Sequence, residues 1–74
     1  MNEFDEGRIA AYRDIETECE EHIHTLQWQA SEVAAVCGKN SLLTQFLAQQ
    51  ILTVSKYSVL CAKRIDEVKE SADD

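Results

Sequence analysis

Proline is absent from this 74-residue chain, and glycine occurs only twice. At average usage of about 5% proline and about 7% glycine, several of each would be expected. Because these two residues disfavour helix interiors more than any others, their scarcity predicts a chain that is helical over almost its whole length. At 8.4 kDa we expect a single small domain spanning residues 1–74.

Long apolar runs are missing as well. No run approaches the roughly 20 apolar residues that span a bilayer. The first residues also lack the basic segment followed by an apolar stretch that marks a signal peptide. The three cysteines show no C-x-x-C spacing, so they fit reduced thiols better than a metal site or a disulfide framework. We therefore expect a cytoplasmic protein that does not enter a membrane.

Basic residues are few, with seven Lys and Arg against 14 Asp and Glu, for a net charge of -7. The imbalance lies in the first half, because residues 1–37 hold nine acids and two arginines, whereas residues 38–74 hold five of each sign. Phosphate binding needs clustered Lys and Arg, so nucleic acid and anionic membrane are poor partners. A protein with a basic surface suits this chain better.

The first half of the chain has apolar residues at spacings of three and four, after a cluster of acids that favours a helix start. This pattern predicts an amphipathic helix over about 3–37. The line of residues predicted to face inward is Tyr12, Ile15, Cys19, His22, Leu26, Gln29, Val33 and Val36. A neighbouring line is predicted to widen this inward stripe, and it contains Ile9, Ile23, Ala30 and Cys37.

Residues 38–41 interrupt the pattern and predict a turn. Gly38 can adopt the left-handed conformation that closes a helix, and Asn40 or Ser41 can cap the next one. A second helix is predicted over about 41–70, followed by a polar tail at 71–74. Because a short turn makes two helices antiparallel neighbours, the predicted fold is all-α, an antiparallel two-helix hairpin of the coiled-coil type.

The position of the turn also sets the expected pairing between the helices. It places His22 opposite Tyr57 and Gln29 opposite Gln50, so two polar layers are predicted to cross an otherwise apolar seam. Such layers commonly specify register at some cost in stability.

The second helix is more apolar than one neighbouring helix can cover. Its predicted inward line is Leu47, Ile51, Val54, Ser58, Cys61, Ile65 and Val68. Further apolar residues extend both flanks: Leu42, Leu43, Phe46, Tyr57 and Leu60 on one, and Ala48, Leu52, Val59 and Ala62 on the other. A contiguous uncovered patch of this kind marks an interface, so we expect the hairpin to be completed by homodimerisation or by a partner chain.

Two sets of residues are candidates for binding. The predicted partner-binding residues are Phe46, Leu52, Tyr57, Val59 and Leu60, with Trp28 on the polar side of the first helix as a further anchor or as a ring lying on its neighbours. Asp14, Glu18 and Glu21 form an acidic face that either steers a basic partner or is only solvated.

Catalytic and metal-binding patterns are incomplete. Glu21 and His24 form the E-x-x-H half of a di-iron bundle motif, but the second helix supplies no acid before Asp66. Cys19 and His22 share a helix face, but a reactive thiolate needs an electropositive setting and this helix is the acidic one. We expect no catalytic residue, no metal and no cofactor.

The second helix resembles that of a known group of small proteins. The segment Leu42-Leu43-x-x-Phe46-Leu47-x-Gln49-Gln50, then Tyr57 and Lys63-x-Ile65-Asp66-x-Val68, is similar to the second helix of the hairpin proteins of type III secretion. That group includes the needle subunit and a two-helix co-chaperone that keeps the subunit unpolymerised in the cytosol. The chain lacks the proline-containing turn of the needle subunits and ends in acids, so the resemblance implies the co-chaperone.

Two functional hypotheses follow. The first is a non-enzymatic interaction protein that masks an apolar helix of one partner, as a secretion co-chaperone does. The second is a homodimeric four-helix-bundle regulator, or a phage-type inhibitor, in which the acidic face of the first helix does the binding.

Overall fold

The computed structural model describes residues 2–72, which form two helices, α1 (Glu3–Cys37) and α2 (Leu42–Ala72). The helices pack against each other along their length as an all-α helical hairpin, as predicted. The molecule measures 53 × 15 × 10 Å, so it is a single layer of two helices. No helix within residues 2–72 has a stretch long and apolar enough to cross a bilayer.

The start of α1 is fixed by local hydrogen bonding. The Asn2 side chain accepts a hydrogen bond from the Asp5 backbone N–H at 2.8 Å, which satisfies one of the unpaired donors of the first turn. Acidic side chains at Glu3, Asp5 and Glu6 complement the positive end of the helix dipole. The capping residue and the acids therefore act together to begin the helix here.

The turn is held by backbone and hydroxyl hydrogen bonds. Gly38 has a φ of 93°, a conformation that side chains disfavour, and its N–H donates to the Ala34 carbonyl at 3.0 Å. Ser41 caps α2, because its hydroxyl accepts from the Thr44 N–H at 3.1 Å. The Thr44 hydroxyl in turn donates to the Gly38 carbonyl at 3.0 Å, tying the end of α1 to the start of α2.

The predicted inward line of α2 is confirmed. Leu47, Cys61, Ile65 and Val68 are buried, and the remaining members of the line, Ile51, Val54 and Ser58, are half-buried. The helix continues to Ala72, beyond the predicted end near residue 70, so Ser71 and Ala72 are helical rather than part of a polar tail. Asp73 and Asp74, the rest of that predicted tail, lie outside the described residues.

Of the two columns predicted beside Tyr12, Cys19, Leu26 and Val33, one faces inward. The neighbouring line of Ile9, Ile23 and Ala30, predicted to widen the stripe, is buried or half-buried and completes the seam together with Glu16, whereas Cys37, predicted in the same line, is exposed. Ile15, His22, Gln29 and Val36, which were predicted to alternate with the first four, are exposed. The prediction of two polar layers within the seam is therefore wrong. His22, Gln29 and Tyr57 lie at the surface, and Gln50 is only half-buried.

The best-packed part of the molecule is near the chain ends, where Ile9, Ile65 and Val68 cluster and Tyr12 packs against them. Within residues 2–72 no polar or charged residue is buried, and no large side chain is completely withdrawn from solvent. Since hydrophobic stabilisation scales with the apolar area removed from water, this thin seam leaves the hairpin with little stabilisation of its own.

The seam predicts a contrast between two valines of α2. Val68 is 4% exposed and Val59 is 70% exposed. Val68→Ala removes buried methyl groups and should lower the free energy of unfolding by roughly 1.5–3 kcal/mol. Val59→Ala should change it by less than about 0.5 kcal/mol. Chemical denaturation followed by circular dichroism measures both, and equal losses would contradict the observed seam.

Candidate protein-interaction surface

Large apolar side chains remain exposed on both helices. They are Phe4, Ile15, Trp28 and Val36 on α1, and Leu42, Leu43, Phe46, Leu52, Tyr57, Val59 and Leu60 on α2. Single exposed hydrophobics are normal on any protein, so their arrangement decides whether they form a surface.

The arrangement follows from which flanks of the two helices adjoin. Glu6, Ile9, Ala10 and Arg13 of α1 line one shallow groove together with Lys69 of α2, so these flanks lie on the same side of the hairpin. Helical spacing of seven places Ala48, Ser55 and Ala62 in line with Lys69. The other flank of each helix, which carries Ile15 on α1 and Leu43 on α2, therefore forms the opposite side.

That opposite side is here called the broad face. It is defined by the exposed residues Ile15, His22, Gln29 and Val36 of α1, and by Leu43, Phe46, Thr53, Tyr57 and Leu60 of α2 together with the half-buried Gln50. Thr53, Lys56, Tyr57 and Leu60 line a shallow, open groove of ≈ 280 Å³ at its rim. The broad face is two helices wide, and its apolar residues come from both helices.

The second apolar surface is narrower and belongs to α2 alone. This Leu52–Val59 flank is defined by Leu52 and Val59 with the small residues Ala48, Ser55 and Ala62. Leu52, Ser55, Lys56 and Val59 line a shallow, open groove of ≈ 260 Å³. Lys56 borders both grooves. The predicted partner-binding residues of α2 are thus divided, with Phe46, Tyr57 and Leu60 on one side of Lys56 and Leu52 and Val59 on the other.

Trp28 and the acidic face lie elsewhere. Trp28, Asp14 and Glu21 are spaced by seven residues along the outer edge of α1, with Glu18 beside them, and all four are exposed. The helical positions place this edge away from α2. The structure therefore does not bring Trp28 together with the predicted residues of α2, and a helix docked on the Leu52–Val59 flank would not reach it.

Polar groups of α2 define the end of the broad face. Arg64 donates to Glu67 at 2.8 Å in an exposed ion pair, and this hydrogen bond raises the pKa of the Arg64 guanidinium. The pair lies within one helix, so it orders the surface rather than joining the helices. Exposed pairs of this kind contribute little to stability.

The thiols occupy three different environments. Cys61 is buried, Cys19 is half-buried and Cys37 is exposed. Burial raises the pKa of the Cys61 thiol, and the nearby Cys19 and Glu16 raise it further. Among residues 2–72, no three His, Cys, Asp or Glu side chains come together in a way that could hold a metal ion.

Sequence reasoning did not assign Ile15, Val36 or Leu43 to the binding surface. Leu43 was recognised as a flank residue of α2, but Ile15 and Val36 were placed in the seam. The available signal was the number of polar residues in each column, since the column of Ile9, Ile23 and Ala30 contains one, Glu16, whereas the column of Ile15 and Val36 contains two, His22 and Gln29. Choosing the more apolar column would have placed Ile15 and Val36 at the surface.

Protein-family models, curated protein sequences and solved structures were each compared with the chain, and none of them matches it.

The thiol environments predict different reaction rates. A raised pKa lowers the thiolate fraction at a given pH, and burial limits access, so Cys61 should react with a maleimide at least about tenfold more slowly than Cys37. Mass spectrometry of the peptides after timed labelling at mildly alkaline pH measures both rates. Equal rates would mean that the two helices separate faster than the reagent reacts, which would contradict a stable seam at Cys61.

Proposed function

We propose that this protein is a non-enzymatic interaction module that masks an apolar helix of a partner protein. The observation that carries the proposal is the exposure of Leu52 and Val59, at 55% and 70%, beside a groove on the outer half of α2. The proposal assigns no catalytic residue and no cofactor to the chain.

Energetics favour a function that depends on association. The hairpin has one seam, and α2 carries apolar side chains on both sides of it. Covering Leu and Val side chains removes apolar area from water at about 25 cal/mol per Å². A partner that covers α2 therefore supplies stabilisation that a single layer of two helices does not have.

The shape of the Leu52–Val59 flank suits a helix. Ala48, Ser55 and Ala62 are small, so a helix lying along them can approach closely, with Leu52 and Val59 entering the spaces between its side chains. A single helix that also covered Phe46 and Leu60 would have to bury the Lys56 ammonium, which is costly without a paired charge. The proposed partner helix therefore lies on this flank alone.

Charge defines the partner further. Lys56 stands at the edge of the groove and favours a carboxylate on the near edge of the partner helix. Asp14, Glu18 and Glu21 lie on the far edge of the hairpin, so their proposed role is to attract a basic region of the partner during encounter. Long-range attraction of this kind changes association rates more than affinity.

A cytoplasmic co-chaperone is the specific form of this function that the sequence resemblance supports. Such a protein holds a secretion subunit in the cytosol by covering the apolar helix through which the subunit would polymerise. The Leu52–Val59 flank is the surface that we assign to that contact. The support is the resemblance of α2 together with the exposed flank.

The proposal predicts the effect of charge at the flank. Leu52→Glu with Val59→Glu should abolish the complex with the partner, since each lost apolar contact is worth about 1.5–3 kcal/mol and the pair therefore roughly 100-fold or more in affinity. The measurement is quantitative co-purification with the partner identified by mass spectrometry, followed by calorimetry with that partner. Circular dichroism should show unchanged helicity, because both positions are exposed.

A matched control makes the same change in net charge elsewhere on α2. Gln49→Glu with Lys63→Gln lowers the net charge by two, at exposed positions on the outer edge of the same helix. This variant should bind the partner within a few-fold of the native protein. Native affinity in the Leu52→Glu, Val59→Glu variant would refute the assignment of the flank.

A further inference from the structure

The broad face needs a cover that is two helices wide. Its exposed apolar residues come from both helices: Ile15 and Val36 from α1, and Leu43, Phe46, Tyr57 and Leu60 from α2. One partner helix, about 10 Å across with its side chains, could lie in the groove between α1 and α2 and contact Ile15 and Leu43, but it would leave the outer residues Phe46 and Leu60 beyond its edge. A second hairpin of this same chain presents two helices at the matching spacing.

On α2 the face is symmetric about the level of Thr53. Phe46 lies seven residues before Thr53, and Leu60 lies seven residues after it. The midpoint between Gln50 and Tyr57 falls between Thr53 and Val54, because Gln50 lies three residues before Thr53 and Tyr57 lies three residues after Val54. Phe46 and Leu60 are therefore apolar counterparts, and Gln50 and Tyr57 can both form hydrogen bonds, whereas the counterpart of Leu43 is Arg64.

On α1 the same symmetry holds about the level of Thr25 and Leu26. Ile15 lies ten residues before Thr25, and Val36 lies ten residues after Leu26. The two polar residues of this row behave in the same way, because His22 lies three residues before Thr25 and Gln29 three residues after Leu26.

The two centres lie at one level of the hairpin. α1 ends at Cys37 and α2 begins at Leu42, so residues equally far from these two positions lie at about the same level of the hairpin. Thr53 lies 11 residues after Leu42, and Leu26 lies 11 residues before Cys37, at the centre of the α1 row.

We propose that the broad face binds a second copy of this chain about a twofold axis that crosses both helices at the level of Thr53. In this dimer α1 lies on α1 of the second copy and α2 lies on α2, each pair antiparallel, with the turns at opposite ends of a four-helix bundle. The contact is isologous, so each pair occurs twice. The pairs are Phe46 with Leu60, Ile15 with Val36, Tyr57 with Gln50, and His22 with Gln29.

The opposite orientation breaks up the apolar pairs. If the turns lay at the same end, α2 would lie on α1 of the second copy, which would place Phe46 beside Glu32 and Leu60 beside Glu18. Packing a carboxylate against an aromatic or aliphatic side chain without a partner carries a desolvation cost. In the proposed orientation Glu18 lies beside Glu32 of the second copy, so the α1 pair contains a like-charge contact that opposes the dimer and that salt screens.

The available area is sufficient for a specific dimer. The six apolar side chains of the broad face expose on the order of 600 Å² per copy, so their contact would bury roughly 1,200 Å² in total, at the lower bound of specific interfaces. The polar pairs and the aliphatic stem of Arg64 against Leu43 add to it. The Leu52–Val59 flank stays outside the bundle and remains open.

The first experiment measures solution mass by size-exclusion chromatography with light scattering over a concentration series. The native protein should reach twice the 8.4 kDa mass of the chain. Phe46→Glu with Leu60→Glu should return it to the mass of one chain, whereas the matched variant Leu52→Glu with Val59→Glu, on the other side of α2, should keep the doubled mass. A native protein that stays at 8.4 kDa, or a doubled mass that survives Phe46→Glu with Leu60→Glu, overturns the proposal.

The second experiment tests the axis without disturbing the apolar contacts. In a variant with Cys19, Cys37 and Cys61 replaced by alanine, a single Thr53→Cys should be joined to its own copy by a short bis-maleimide, because a residue on a twofold axis meets itself. Position 56 faces away from the second copy, so Lys56→Cys in the same background should give at least tenfold less cross-linked dimer than Thr53→Cys. Equal yields from the two positions, or none from Thr53→Cys, would refute this geometry even if a dimer forms.

These outcomes are independent of the proposed partner contact. Loss of the doubled mass through Phe46→Glu and Leu60→Glu reports on the broad face, and loss of partner binding through Leu52→Glu and Val59→Glu reports on the other flank. Either proposal can therefore fail while the other stands.

Discussion

The packing of α1 against α2 is the constraint on which every other feature depends. Each helix contributes one stripe of alternating threes and fours, and the capped turn between Gly38 and Thr44 holds the stripes face to face. A hairpin has only this one seam. Apolar residues outside the stripe therefore remain in water, and α2 has many of them.

The same constraint separates the exposed residues by direction. The seam defines two sides of a flat molecule. Phe46 and Leu60 lie on one side of α2 and Leu52 and Val59 on the other, with Lys56 between them. The outer edge of α1, with Trp28 and its acids, is remote from both. The apolar residues of α2 thus belong to two surfaces of different width, the broad face and the Leu52–Val59 flank. The two surfaces could be covered at the same time, one by a second copy and the other by a partner.

The two helices differ in how well their inward lines could be predicted. On α2 the line from Leu47 to Val68 is apolar at every position but Ser58, so only one reading satisfies the spacing. On α1 the column of Tyr12, Cys19, Leu26 and Val33 can be completed from either neighbouring column, and each contains polar residues. Glu16 in the inward column is half-buried, and a glutamate is tolerated at the edge of so thin a seam because it is not fully withdrawn from water.

The sequence by itself determined the helical content, the turn and the inward line of α2, because these depend on local propensity, capping and spacing within about seven residues. It also showed that α2 is too apolar for one neighbour. Only the tertiary structure decided which column of α1 faces inward, and hence that Ile15 and Val36 join Leu43, Phe46, Tyr57 and Leu60 on one face. That choice depends on the rotation of one helix about its axis relative to the other, which is set by packing across the seam and not by either helix alone.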